Sequence, residues 1–71
     1  MHFDLVETGK RIKALRKESK LTQEKLAEAL NISRIHLAHI EIGDKAPSID
    51  LLIDMSVFFG KSLDYIVLGR E

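Results

Sequence analysis

The 71-residue chain contains no cysteine and no tryptophan, one proline and four glycines. Without cysteine there is no disulfide staple and no thiolate metal site, which fits an intracellular setting. Long apolar runs are missing as well. Nothing approaches the ~18 residues of a membrane span. The opening MHFDLVETGK lacks a basic head followed by an apolar stretch, so no signal peptide is expected. A soluble, cytoplasmic protein is the expectation. Net charge is absent too: 11 Lys and Arg balance 11 Asp and Glu, which counts against a strongly basic tail. No segment alternates apolar and polar residues with period two, so no strands are expected. Repeats and low-complexity tracts are lacking. So is any convincing setting for a nucleophile with its base, a phosphate-cradling glycine loop or a carboxylate pair. The chain does not read as an enzyme, and no cofactor is expected.

What is present is 45% apolar, enough for one domain spanning residues 1–71 around one small core. Its organising stretch is LTQEKLAEALNISRIHLAHIEIG, from Leu21 to Gly43. Thr22 can cap a helix by accepting an unpaired N–H of the first turn. Leu26, Ala27 and Leu30 then give that helix one apolar face. Asn31, the non-glycine residue best suited to a left-handed conformation, can end it. Ser33 caps a second helix, in which Leu37 and Ile40 face inward and Arg34, Ile35, Ala38 and His39 face outward. Ala27 is small where two steeply crossing helices would come closest. Residues 22–42 thus form the helix-turn-helix pattern, whose second helix is presented to the major groove of DNA.

Around this core the pattern predicts three more helices. Asp4 and Glu7 resemble a capping box opening a first helix that runs to about Ser19, with Leu5, Ile12 and Leu15 inward. Gly9 in its middle costs ~1 kcal/mol relative to alanine, and close approach of another backbone would justify it. Gly43 to Pro47 reads as a loop. Ser48 caps a fourth helix, with Asp50 at its positive end and Ile49, Leu52, Met55, Val57, Phe58 and Phe59 apolar on more than one face. Adjacent phenylalanines cannot both point inward, so one stays partly exposed. Gly60 stops that helix, and Ser62 caps a short fifth one through Leu63, Tyr65, Ile66 and Leu68. Lys10, Arg11, Lys13, Arg16, Lys17 and Lys20 crowd into one segment, best read as a solvated helix face. His36 and His39, three apart with no third ligand in view, are read as satisfied or solvent-facing rather than as a metal site.

In several features held in register the chain resembles the phage repressor and Cro (Xre-like) family. These are Gly9-x-x-Ile12-x-x-Leu15-Arg16, Leu21-Thr22-Gln23, Leu26-Ala27, Ser33, Ile40-Glu41-x-Gly43, Pro47-Ser48 and Ser62-Leu63-Asp64-Tyr65. The resemblance spans about Thr8 to Gly69. It implies an all-α, compact five-helix, lambda-repressor-like DNA-binding domain. It also implies that Arg16 and Glu41 pair, that Gln23 contacts phosphate, and that Arg34, Ile35, Ala38 and His39 reach base edges from the helix capped by Ser33. Lys45 would sit near the DNA backbone. The chain departs from the family at Asn31, where glycine is usual, at Asp44, where a basic residue is common, and at Lys61, commonly apolar.

The reading is therefore a sequence-specific DNA-binding regulator acting by operator occupancy, most simply as a repressor. Double-stranded DNA is its partner. Tyr65, Ile66, Val67 and Leu68 are too many for one helix face to bury, so homodimerisation through Tyr65, Ile66 and Leu68 is expected. The rival reading is a protein-interaction module, such as the antitoxin of a toxin–antitoxin pair.

Overall fold

Every helix of this chain starts on a side-chain oxygen and stops on a left-handed residue. The computed structural model describes residues 3–70. Among them lie α1 (Leu5–Glu18), α2 (Gln23–Leu30), α3 (Arg34–Ile42), α4 (Ile49–Phe59) and α5 (Leu63–Leu68). Thr22, Ser33, Ser48 and Ser62 each accept the N–H of the residue three ahead, which meets one of the donors that a helix start leaves without an internal partner. Asp4 accepts two, from Val6 and Glu7. The capping box is half made, since the Glu7 carboxylate pairs with Lys10 at 3.2 Å instead of reaching back to the Asp4 N–H. A charged partner one turn ahead competes for it.

The stops come at Lys20, Asn31, Gly43, Gly60 and Gly69, all with positive φ. Asn31 at φ 59° ends α2 as its residue type predicts, and its neighbour Ile32 closes the turn by donating to the Ala27 carbonyl. Lys20 also stands at φ 59°, a conformation that no feature of lysine advertises. It is held there by two closing bonds, from the Lys20 N–H to the Lys17 carbonyl and from the Leu21 N–H to the Arg16 carbonyl.

The core is one cluster contributed by all five helices. Ile12, Leu26, Leu37, Met55 and Ile66 are fully buried at its centre, and Leu15, Ala27, Leu30, Ile40, Leu51 and Leu52 complete it. Of the apolar residues expected on α4, Leu52 and Met55 go inward. Ile49 and Val57 stay out, and Leu51 takes their place. Phe58 is the exposed phenylalanine; its ring meets that of half-buried Phe59 edge to face at 5.1 Å.

α1 is the element on which the rest is hung, packing against α3 on one side and α5 on the other. A Cβ on Gly9 would lie 2.6 Å from the Glu41 carbonyl oxygen, so the backbones of α1 and α3 touch here. Gly43 repeats the device from the other side. It has φ 88°, and a Cβ there would stand 2.7 Å from Val6 Cα. On the α5 side the Arg11 guanidinium donates to the Ile66 and Val67 carbonyls, both at 2.8 Å, and the Thr8 hydroxyl donates to Val67 at 3.2 Å. A six-residue helix has little stability of its own. α5 is held by these bonds and by buried Ile66.

Candidate nucleic-acid interface

The outer face of α3 stands clear of the protein because its inner face is fully committed. Leu37 and Ile40 are buried in the core, and Glu41 is buried in an ion pair. The Arg16 Nε lies 2.7 Å from Glu41 Oε2, and Arg16 Nη2 lies 3.1 Å from Oε1. Arg16 Nη1 donates to the Leu21 carbonyl in the link between α1 and α2. Gln23 Nε2, at the first turn of α2, donates to Glu41 Oε1 at 3.0 Å. One carboxylate thus ties together α1, the start of α2 and the last turn of α3. Two charges so nearly out of water contribute less to net stability than their distance suggests, but they fix orientation. No buried side-chain nitrogen or oxygen among the described residues lacks a partner.

Gln23 therefore sits differently from a free phosphate contact. Its amide is half-buried and one N–H is taken by Glu41, a bond that only the packed fold reveals. What remains for an anion is its other N–H and the open backbone N–H groups of the α2 N-terminus.

On the outer face, Arg34 and Ile35 are exposed, Ile35 at 62%, while Ala38 and His39 are half-exposed. The Ser33 oxygen is occupied as acceptor by the His36 N–H, leaving its hydroxyl proton to donate outward. Lys45 is exposed in the loop that follows. His39 has a partner: its Nδ1 lies 2.9 and 3.0 Å from the two oxygens of Asp44. No group of three or more metal-ligating side chains occurs among the described residues.

The basic segment of α1 is not a uniform cationic face. Arg11 is turned onto α5, Arg16 is buried, and Lys10 is paired with Glu7. Lys13, Lys17 and Lys20 remain exposed, and no ion pair holds them among the described residues.

The expected dimer residues separate. Ile66 is fully buried in its own chain and cannot meet a partner, because α5 turns it under α1 and α4. Tyr65 is half-buried with the Lys61 ammonium 5.0 Å from its ring centre, and Leu68 is half-buried. An open apolar stripe lies on α4. Ile49, Ile53 and Val57, four apart, form a stripe exposed by 63%, 46% and 79%, flanked by Phe58. Among the described residues no helix is long and apolar enough to cross a membrane.

Comparison with known proteins agrees with this geometry. The pattern of the Helix-turn-helix family matches residues 12–66. The chain is 48% identical over 63 residues to the immunity repressor protein of Bacillus phage phi105, covering 89% of this chain and 43% of that one. It is 36% identical to the HTH-type transcriptional regulator ImmR of Bacillus subtilis, over 89% of this chain and 49% of the relative. With the HTH-type transcriptional activator BcrR of Enterococcus faecalis it shares 35% identity, over 93% and 32%. The chain spans about half the length, or less, of these relatives. Among solved structures, the restriction-modification controller protein C.AhdI from Aeromonas hydrophila superposes with a TM-score of 0.81 at 25% identity, covering 92% of this chain and 98% of that one. A capped helix pair locked by one buried carboxylate, an open second-helix face, and the family pattern across both place this chain in the helix-turn-helix family of phage-repressor, Xre-like type.

Proposed function

We propose that the chain binds double-stranded DNA with α3 in the major groove and regulates transcription by occupying an operator. The observation that carries this reading is the division of α3. Leu37, Ile40 and Glu41 hold the helix to the body, and Arg34, Ile35, Ala38 and His39 are left to touch something else. Arg34 lies in the first turn, which enters the groove most deeply in this motif, and its guanidinium can bond a guanine through O6 and N7. Ile35 and Ala38 suit apolar contact with a thymine methyl. Ser33, Gln23 and Lys45 border this face and serve the phosphates. The relatives include a named repressor and a named activator, so their names alone do not give the sign of regulation. Repression is the simpler mechanism. The site of action is the cytoplasm, where a bacterial operator is found.

A second copy of the chain completes the reading. Two copies related by a twofold axis would present two α3 helices one DNA turn apart, ~34 Å, to a near-palindromic site. The exposed α4 stripe of Ile49, Ile53 and Val57, together with half-buried Tyr65 and Leu68 of the adjoining α5, is the surface for that pairing. The interaction-module alternative uses the same stripe for a different protein, and salt separates the two. Phosphate-driven binding weakens steeply as salt rises, whereas an apolar interface does not.

Selection of bound sequences from a random DNA pool tests the proposal, and enrichment of a near-palindrome is expected. On that operator Arg34→Ala should cost ~1–3 kcal/mol and relax preference at one base pair per half-site. Lys45→Ala should weaken all duplexes alike and reduce the salt slope. A pool that enriches nothing, or equal losses for Arg34→Ala on operator and scrambled duplex, would count against sequence reading through α3.

A further inference from the structure

The left-handed ending of α3 places two polar side chains together where such endings usually join apolar ones. Gly43 turns the chain at φ 88°, its N–H bonds the Ile40 carbonyl, and the Asp44 N–H bonds the His39 carbonyl, both at 3.1 Å. This pair of closing bonds folds the residue after the glycine back over the residue five before it. Elsewhere the two side chains that meet there are commonly hydrophobic. Here they are Asp44 and His39, and the imidazole Nδ1 lies 2.9 and 3.0 Å from the carboxylate oxygens. An ionised carboxylate only accepts, so the proton of this hydrogen bond belongs to Nδ1. In the neutral ring Nε2 is then left with its lone pair.

We propose that Asp44 is a positioning residue for base recognition, fixing His39 so that Nε2 meets the DNA as an acceptor. The proposal rests on the reading that α3 occupies the major groove. In that groove adenine N6 and cytosine N4 are donors, whereas guanine offers O6 and N7 and thymine offers O4, all acceptors. An imidazole free to choose its tautomer can serve either class. One held by Asp44 serves adenine or cytosine. The α3 face then carries a donor at Arg34 and an acceptor at His39, one turn and a half apart, and the two demand different bases. Asp44 is 55% exposed and His39 43%, so both remain on the open surface where DNA would seat. The negative charge itself is unfavourable near phosphates, and this separates the positioning role from a merely electrostatic one. Removing the charge should raise affinity for every duplex, while losing the tautomer should change preference at one position.

The test is random-pool selection with the full chain and with His39→Ala, Asp44→Asn and Asp44→Ala. It is run at about pH 8.5, above the range in which imidazole ordinarily takes up a proton. The His39→Ala comparison identifies the position that His39 reads. There the wild-type protein is expected to select adenine or cytosine. Deleting the amine of that base, with purine for adenine or 2-pyrimidinone for cytosine, should lower its affinity roughly fivefold, the effect of one hydrogen bond. Asp44→Ala should lose most of that discrimination while keeping the one made by Arg34, and Asp44→Asn, whose amide can either accept from or donate to Nδ1, should lose part of it. Replacing N7 with carbon in a purine at the position His39 reads should leave affinity unchanged, and a loss there would mean that the imidazole donates. It is overturned if the Asp44 variants bind all duplexes more tightly with preference unchanged, if the position selects guanine or thymine, or if His39→Ala alters no position. If the wild-type protein selects no sequence at all, the groove-binding reading fails first and this one with it.

Discussion

Arg16 gives three of its guanidinium nitrogens to named acceptors, two on Glu41 and one on Leu21. With side-chain exposures of 9% and 1%, neither Arg16 nor Glu41 can recover water as a substitute partner. Replacing either alone with alanine should therefore cost ~3–5 kcal/mol, mostly the penalty of a stranded charge. Exchanging both for apolar residues of similar size, Arg16→Met with Glu41→Leu, should be far less damaging than the sum of the singles. A denaturation cycle measures this, and additive losses would refute direct coupling. That the two residues pair was legible from the family register of the sequence. That Gln23 joins them was not, because its position depends on how α2 is set against α3. The Asp44–His39 contact was hidden for a different reason: it depends on the handedness of one turn, and neither residue type announces it.

At the scale of the helix, residue type and conformation agree almost everywhere, and starts were more legible than stops. Ser, Thr and Asp have an acceptor one bond from the backbone, so a cap can be read from a single letter. Stops depend on φ, which glycine and asparagine advertise and lysine does not. Lys20 is the exception, and it holds a conformation that costs an L-residue roughly 1–2 kcal/mol. Glycine there is free of that strain but loses more entropy on folding. Lys20→Gly is thus expected to stabilise the chain by up to about 1 kcal/mol. A rise in the midpoint of urea unfolding without a change of slope would show it, and a fall would mean that the lysine makes a contribution beyond its backbone. The exposed stripe on α4 illustrates the opposite limit of legibility. Its sequence predicted apolar faces in excess of one core, but only the packing decided that Leu51 enters and Val57 does not.

For the whole molecule the same excess has a consequence for assembly. Val57, 79% exposed and without a core role, is the position at which a charge tests association without disturbing the fold. Val57→Glu should leave thermal unfolding within about 0.5 kcal/mol of the parent at low concentration. It should also shift sedimentation towards the monomer and weaken operator binding by removing the second half-site contact. Unchanged sedimentation of the variant, alone and on DNA, would move the dimer surface elsewhere. The four apolar letters in a row on α5 point to homodimerisation there, and of the residues expected to pair Ile66 is the one a partner cannot reach. A short helix clamped by Arg11 and Thr8 turns Ile66 inward, which the letters alone do not show.

If α3 reads DNA as proposed, its ending also bears on transplanting specificity between relatives. Arg34, Ile35, Ala38 and His39 lie outside the core cluster, so a new set of outward residues can be written onto α3 without repacking the molecule. A graft that stops at the helix boundary, Ile42, would carry His39 into a foreign loop and leave Asp44 behind. On the proposal that Asp44 orients His39, the unit of exchange is the helix together with the two residues that follow it, because the turn at Gly43 brings Asp44 onto His39.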